Sequence, residues 1–177
     1  MKMLDLLPIG DLDARLLRTL APALADSFRV PVRILEERLD PHFAFHPERG
    51  QHHSSELLQA MQQYARDGAW RVLGVTGADL YIPILTFVFG EAQMGGPCAI
   101  VSFHRLQQQF YGLPPDPNLL MDRLVKEAVH EVGHTFDLTH CEDYSCAMAA
   151  SHAVEWIDLK EPTLCSSCQA RALEAVD

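Results

Sequence analysis

Two histidines four residues apart constrain this chain more than any other feature of its sequence. His130 and His134 enclose the residues Glu131-Val132-Gly133. On an α-helix, residues four apart lie about one turn apart on the same face. The spacing therefore predicts a helix that directs two imidazoles at one point, which is the arrangement that a small divalent metal ion requires.

A third histidine, His140, stands six residues after His134. It supplies a third nitrogen if the chain leaves the helix and folds back. Three protein ligands leave a tetrahedral zinc ion one open position, and an open position holds water. Glu131 stands where the H-E-x-x-H motif carries its general base. The pattern indicates hydrolytic chemistry; the alternative is a helix that merely carries surface histidines.

Four cysteines follow at once, in the spacing C-x4-C-x18-C-x2-C: Cys141, Cys146, Cys165 and Cys168. Paired cysteines at such spacing are typical of structural zinc sites. Four thiolates complete the coordination of zinc and leave no position for water. A pair of disulfides is the alternative, but a reducing compartment favours metal. The fifth cysteine, Cys98, lies in an apolar run and is expected to be a buried small hydrophobic residue.

These residues together resemble the signature of the archaemetzincins, a branch of the metzincin zinc metalloproteases. The family pattern is H-E-x-x-H-x-x-G-x-x-H-C-x4-C-x-M, followed later by C-x-x-C. It stands here as H-E-V-G-H-T-F-D-L-T-H-C-E-D-Y-S-C-A-M, with 16 residues between Met148 and Cys165. The close resemblance spans about 40 residues, from His130 to Cys168.

The resemblance implies a role for each matching residue. His130, His134 and His140 would bind a catalytic zinc, with Glu131 as general base. The four cysteines would bind a second, structural zinc, which makes two Zn²⁺ ions per chain. Met148 would belong to a turn beneath the catalytic zinc, where it packs without reacting. Without the resemblance, Met148 would be interpreted as core filling.

One position departs from the family pattern, because Asp137 stands where metzincins have glycine. Glycine there permits a positive φ, which ends the helix and turns the third histidine toward the metal. Aspartate tolerates that conformation at a cost of about 1 kcal/mol, so our hypothesis is that the turn is kept. Two alternatives stay open: the carboxylate holds a ligand imidazole, or the turn is altered and catalysis is weak.

Composition limits the partners and the size of the fold. With 177 residues, 48% of them hydrophobic, we expect one domain over residues 1–177. We divide it into 1–136, with the sheet and the site helix, and 137–177, a small C-terminal subdomain with the Met-turn and the cysteine site. The net charge of −10 argues against nucleic acid and anionic membranes. No apolar run reaches the ~20 residues of a membrane span, and no signal peptide is recognised, so we predict a cytoplasmic protein.

Strands that alternate with helices predict an α/β fold of the α+β kind, and the resemblance implies a metzincin-like mixed, twisted sheet. The predicted strands are 2–8, 30–35, 71–75, 84–89 and 98–103. The predicted helices are 11–27, capped by Asp11 and kinked or restarted at Pro22, 55–67, with Gly68 beyond its end, and 118–136. The last two strands are predicted to form a hairpin with an antiparallel edge. By the resemblance, residues 84–91 would line a peptide groove; an ordinary sheet edge is the alternative.

The segment from Pro41 to His53 is polar and carries four histidines: His42, His46, His52 and His53. A third metal site and a solvated loop both fit this composition. Because no recognised ligand motif is present, we favour the loop.

We expect a zinc-dependent peptidase that hydrolyses peptide bonds through a metal-bound water, with Glu131 as general base and a peptide or protein as substrate. Endopeptidase and aminopeptidase activity both stay open, as does the oligomeric state. The alternatives are a zinc-binding module without turnover and a metal-stabilised structural protein. His152 and Tyr144 are candidates for a second oxyanion donor. Glu127 is either a support for the metal ligands or a solvated carboxylate, and we favour the latter.

Overall fold

Strands and helices alternate along residues 2–66 and 69–176, the part of the chain that the computed structural model describes. The strands are β1 Leu4–Ile9, β2 Val32–Ile34, β3 Phe45–His46, β4 Gln51–His53, β5 Arg71–Thr76, β6 Leu80–Tyr81, β7 Gly90–Ala92 and β8 Cys98–Ser102. The helices are α1 Ala14–Phe28, α2 Ser54–Met61, α3 Pro117–Thr135, α4 Val154–Leu159 and α5 Ser166–Val176. Short 3₁₀ turns lie at Pro41–Ala44, Gln62–Tyr64, His104–Leu106 and Gln108–Tyr111.

The main sheet has five strands in the order β2-β1-β5-β8-β7. The first four are parallel to one another, and β7 pairs with β8 in the antiparallel sense at the edge. Both faces are covered: one by α1 and α3, with Leu6 and Val75 in that core, and the other by α2, with Leu7 and Ile100. This mixed sheet confirms the predicted α/β fold with an antiparallel edge strand.

The predicted edge strand itself is misplaced, because β7 covers Gly90–Ala92 and not residues 84–89. The stretch before β7 forms turns, and Ile84 is 86% exposed. The backbone carbonyls of this stretch accept hydrogen bonds from side chains: the Arg49 guanidinium donates to the carbonyls of Leu85 and Thr86. These bonds replace the strand partners that the apolar run would otherwise need.

The segment 41–53 is more ordered than the predicted solvated loop. It contains a 3₁₀ turn and the two short strands β3 and β4, which form a second sheet with β6 in the order β3-β4-β6. The hydrophobic pattern did not indicate these strands, because each is only two or three residues long and their partner β6 is distant in sequence.

The helix boundaries differ from prediction by a few residues. Asp13, and not Asp11, caps α1 by accepting from the Arg15 N–H. The helix runs unbroken through Pro22, which lies on its exposed side, where water can solvate the carbonyl that the proline leaves unpaired. The second helix ends at Met61 before a 3₁₀ turn; its predicted end, at Asp67 and Gly68, lies outside the described residues.

Two helices near the C-terminus had no counterpart in the sequence-based prediction: α4 follows the histidine motif, and α5 carries Cys168 in its first turn. Of the helices in the described ranges, none is long and apolar enough to cross a membrane.

Candidate active site and metal centres

Helix α3 positions the first part of the site. The Asp116 side chain caps it by accepting from the Leu119 N–H, and Pro117 occupies the first turn, where no amide donor is needed. Leu124, Ala128 and Val132 are buried against the sheet. This packing fixes the rotation of the helix, so that the face with the two histidines points away from the sheet core.

The three histidines converge, as their spacing predicts. The Nε2 atoms of His130 and His134 lie 3.1 Å apart. The ring centroid of His140 lies 5.2 Å from that of His130 and 5.1 Å from that of His134. One ring nitrogen from each residue lies within 4.8 Å of the others. A tetrahedral ion with bonds of ~2.0–2.1 Å holds its ligands about 3.3 Å apart, so these three nitrogens fit a zinc ion.

Backbone carbonyls orient two of these imidazoles. Nδ1 of His130 lies 2.8 Å from the carbonyl oxygen of Ala147, and Nδ1 of His134 lies 2.7 Å from that of Leu138. Each Nδ1–H therefore donates to a carbonyl and leaves Nε2 free for a metal. Burial lowers the pKa of both rings, and that of His130 falls well below its usual range because Lys160 and His134 add to the effect of burial. Neutral imidazole is the form that binds metal.

Asp137 adopts the turn conformation that metzincins assign to glycine. Its φ is +60°, and its N–H donates to the carbonyl of His134. This confirms the hypothesis that aspartate keeps the turn. The carboxylate does not orient His130 or His134, whose Nδ1 atoms face the carbonyls of Ala147 and Leu138.

Met148 is fully buried and packs against helix α3 at Gly133, between the positions of the first two histidines. A Cβ at position 133 would collide with the Met148 sulfur. Glycine in the middle of the H-E-x-x-H motif is therefore a packing requirement of this chain. The position of Met148 agrees with the Met-turn that the resemblance implies.

Glu131 lies on the same helix with only 6% of its surface exposed. Burial raises its pKa well above the usual range, and the neighbouring Glu127 and Glu91 carboxylates raise it further against the opposing effect of Lys160. The edge strand approaches it closely at Gly90, where a Cβ would lie 2.7 Å from Cγ of Glu131. Gly90 is thus needed at this contact, and nothing in its local sequence marks it.

Glu127 is not the solvated carboxylate that we favoured from the sequence. Its exposed fraction is 3%, and its Oε1 lies 2.9 Å from Nζ of Lys160, which is itself buried. Lys160 also donates to the carbonyls of Ala147 and Ala149. The sequence contained no signal for this pair, because its members are far apart along the chain and a lone lysine is normally exposed.

A cleft of about 620 Å³ runs past the histidines. Residues 85–92 form one wall, and His152 lies with the three histidines on the other side. Of the two candidate oxyanion donors, His152 therefore lines the cleft. Tyr144 does not, and it is 71% exposed beside Trp156.

The four cysteines form a second cluster, in which every Sγ lies within 4.8 Å of the others. The sulfurs of Cys141 and Cys165 are 3.9 Å apart, and all four cysteines are free. A disulfide needs about 2.05 Å, whereas Zn–S bonds of ~2.3 Å place sulfurs about 3.8 Å apart. Backbone N–H groups of Met148 and Cys165 donate to Cys146 Sγ, as expected for a thiolate. The arrangement fits a tetrahedral ion better than disulfides.

Cys98 lies apart from both clusters, in the core against α2. It has no exposed surface, and burial raises its pKa to about 11. The prediction of a buried small hydrophobic residue is confirmed.

Comparison with known proteins gives a consistent result. The family model for peptidase family M54 matches residues 42–174. Archaemetzincin from Methanocaldococcus jannaschii is 38% identical over 161 residues, which are 91% of this chain and 87% of that protein.

Solved structures agree with the sequence comparison. A zinc-dependent peptidase from Methanocorpusculum labreanum superposes with a TM-score of 0.87 at 30% identity, covering 96% of this chain and 99% of that one. Archaemetzincin from Methanopyrus kandleri superposes with a TM-score of 0.83 at 33% identity, covering 98% of this chain and 95% of that one.

Proposed function

Because this chain belongs to peptidase family M54, the archaemetzincin family of zinc metallopeptidases, we propose that it hydrolyses peptide bonds with Glu131 as general base. The observation that carries this proposal is the convergence of three imidazoles at the floor of an open cleft, with a buried carboxylate beside them. A binding module without turnover is not favoured, since Asp137 keeps the turn that brings in His140.

His130, His134 and His140 would hold the catalytic zinc through one ring nitrogen each. The donor set fits the ion: three imidazoles whose nitrogens lie close together and whose low pKa values keep them unprotonated. When bound, zinc polarises the scissile carbonyl and acidifies the attacking water.

Glu131 would accept the proton of that water and pass it to the departing amine. Its burial and the surrounding carboxylates raise its pKa, which makes the carboxylate a stronger base than a solvated one. Because position 90 is glycine, the edge strand packs closely against the Glu131 side chain, and this contact restricts the rotamers of Glu131. His152 lines the cleft and is our candidate for steadying the developing oxyanion.

The substrate would bind as an extended peptide along β7. This strand is at the edge of the main sheet: among the described residues it pairs only with β8, and its residues line the cleft. An extended chain can pair with such an edge through backbone hydrogen bonds, while residues 85–89 contact its side chains.

The cysteine cluster would hold a second, structural zinc, so that each chain carries two. The free thiols and the sulfur spacing support this stoichiometry, and a reducing compartment such as the cytoplasm suits it. We also propose that residues 1–177 act as one catalytic domain, with 137–177 as a C-terminal subdomain around the cysteine site.

Glu131→Gln is the direct test. It removes the base while keeping the shape of the side chain, so peptide hydrolysis should fall by about 100- to 10,000-fold. Zinc content, measured by elemental analysis, should stay at the wild-type value. If the variant retains wild-type turnover on a panel of fluorogenic peptides, Glu131 is not the base.

A second experiment decides between the two kinds of peptidase. Matched peptides with free and with acetylated N-termini are compared at equal concentrations. An aminopeptidase would cleave only the free peptides, whereas an endopeptidase would cleave both and release internal fragments that mass spectrometry identifies.

A further inference from the structure

A third cluster of metal-binding side chains lies outside the cleft and away from the cysteines. It consists of His46 on β3, His53 at the end of β4, and Glu56 in the first turn of α2. One ring nitrogen from each histidine and a carboxylate oxygen lie within 4.8 Å of one another. The two strands and the helix therefore bring together three ligands, two imidazoles and one carboxylate, that suit first-row transition ions.

The distances within this cluster match those between ligands of one ion. Nε2 of His46 lies 3.2 Å from Oε2 of Glu56, and Nδ1 of His53 lies 3.3 Å from Oε1. The corresponding separation between the Nε2 atoms of His130 and His134 is 3.1 Å. Tetrahedral coordination with bonds of ~2.0–2.2 Å predicts about 3.3–3.6 Å. The two separations from Glu56 are therefore close to those expected between ligands of one ion.

Neighbouring groups hold both rings in place. Nδ1 of His46 lies 3.4 Å from a carboxylate oxygen of Glu48, an arrangement in which a carboxylate orients a metal-binding imidazole. The His53 ring stacks on Tyr81, with centroids 5.2 Å apart and planes 27° apart. Arg49 lies over the Tyr81 ring at 3.9 Å.

Hydrogen bonding alone is the simpler explanation of this geometry, with Glu56 accepting from both rings. Such contacts contribute little at a partly exposed site, because water competes for each group. The exposed fractions of the three side chains are 33%, 21% and 38% for His46, His53 and Glu56. That exposure also leaves room for solvent as a further ligand, which a labile metal site requires.

We propose that His46, His53 and Glu56 bind one divalent first-row transition ion, such as zinc, with water in the remaining position. The site is built from two imidazoles and one carboxylate, a donor set that favours such ions over Mg²⁺ or Ca²⁺. It is separate from the catalytic and cysteine sites and does not depend on the proposed hydrolysis.

Such an ion would brace the wall of the cleft. It would link the hairpin of β3 and β4 to α2, whose first residues, Ser54 and Ser55, both donate to the Glu91 carboxylate on the edge strand. From the same hairpin, Arg49 donates to the carbonyls of Leu85 and Thr86. Both connections end on residues that line the cleft.

Equilibrium dialysis tests the proposal on the intact, zinc-loaded protein. Wild type is dialysed against buffered free zinc in the low micromolar range, and bound metal is counted by elemental analysis. We expect one more ion per chain in wild type than in His53→Ala or Glu56→Gln, with zinc affinity lowered at least about 100-fold. Glu48→Gln should weaken binding about 10-fold, because it removes only the support of His46.

His42→Ala is the matched control, since His42 belongs to the same segment but not to the cluster. It should take up as much zinc as wild type. Mg²⁺ should not be retained. Equal zinc uptake by wild type and Glu56→Gln would overturn the proposal and leave hydrogen bonding as the explanation, as would equal retention of Mg²⁺.

Thermal unfolding separates lost metal binding from damaged folding. Without added zinc, Glu56→Gln should have the Tm of wild type. At free zinc about 100-fold above the dissociation constant, the Tm of wild type should rise by about 5–10 °C and that of Glu56→Gln should not. A zinc-induced rise of the same size in both proteins would contradict the site.

Discussion

The histidine cluster ends at His140 and the cysteine cluster begins at the next residue, Cys141, yet we propose different roles for the two clusters. His130 and His134 lie on the long helix α3, His140 follows it, and all three face an open cleft. The cysteines lie on loops and the first turn of α5, and two of them, Cys146 and Cys168, are buried. Three protein donors leave a position for solvent and suit a reactive ion, whereas four protein donors complete the coordination and suit a structural one.

The difference shows that access, as much as ligand type, separates the two roles. His140 is the most exposed of its cluster and lies where the cleft meets solvent. In the cysteine cluster, backbone N–H groups of Met148, Cys165 and Cys168 point at the sulfurs. Those donors stabilise negative charge on the sulfurs and take up space that a substrate would need.

His134→Ala should have the largest effect, and it acts on the histidine cluster. The variant should hold one tightly bound zinc in place of two, and peptide hydrolysis should fall by about 1000-fold or more. Its Tm should fall, because a bound ion stabilises the folded chain, but by less than when the cysteine site is disrupted. Elemental analysis, kinetics and calorimetry measure these quantities. Two retained zincs would mean that the histidines do not bind one of them.

Cys168→Ser is the reciprocal change. It should also lower the zinc content by one ion, but its main effect should be on folding, with a fall in Tm of about 10 °C or more. Cys98→Ala is the control, because Cys98 is buried outside the cluster, and its zinc content should match wild type. If Cys168→Ser keeps both zinc ions and its Tm, the cysteine site is not structural.

Lys160→Met tests the buried ion pair between Lys160 and Glu127. The substitution leaves the Glu127 carboxylate buried without its partner, which should lower the free energy of unfolding by about 3 kcal/mol. The double variant Lys160→Met, Glu127→Gln should recover most of that loss, because no uncompensated charge remains. Urea denaturation at neutral pH measures both. Equal losses in the single and the double variant would show that volume, and not charge, governs this position.

Asp137→Gly should have the smallest effect. Relief of left-handed strain is offset by the added entropy of the unfolded chain, so the free energy of unfolding should change by less than about 1 kcal/mol. The zinc content should stay at two. Asp137→Val, which forces a β-branched residue to φ near +60°, should cost more. Loss of the histidine-site zinc in Asp137→Gly would contradict our account of the turn.

Local spacing explains why the clusters were predictable. The positions of His130 and His134 follow from helical geometry, and the paired cysteines have the spacing of a known ligand type. Asp137 was singled out because the family pattern that this chain resembles has glycine there, and aspartate is among the few other residues that tolerate a positive φ. Each of these signals spans only a few residues and needs no knowledge of the rest of the fold.

Contacts between distant segments could not be predicted from local spacing. Gly90 meets Glu131 only after the edge strand has paired with β8. The Lys160–Glu127 pair and the small sheet of β3, β4 and β6 likewise depend on the tertiary fold. The run 84–89 was misassigned for the same reason: its side chains are apolar, but distant side chains occupy its backbone carbonyls.

The packing of Met148 on Gly133 restricts how this protein can be altered. The motif H-E-x-x-H leaves two positions open, Val132 and Gly133 in this chain. At position 133, the Met148 thioether already occupies the volume that a methyl group would fill. A larger residue at position 133 would therefore require Met148 to move, so a library that randomises this position should also vary position 148.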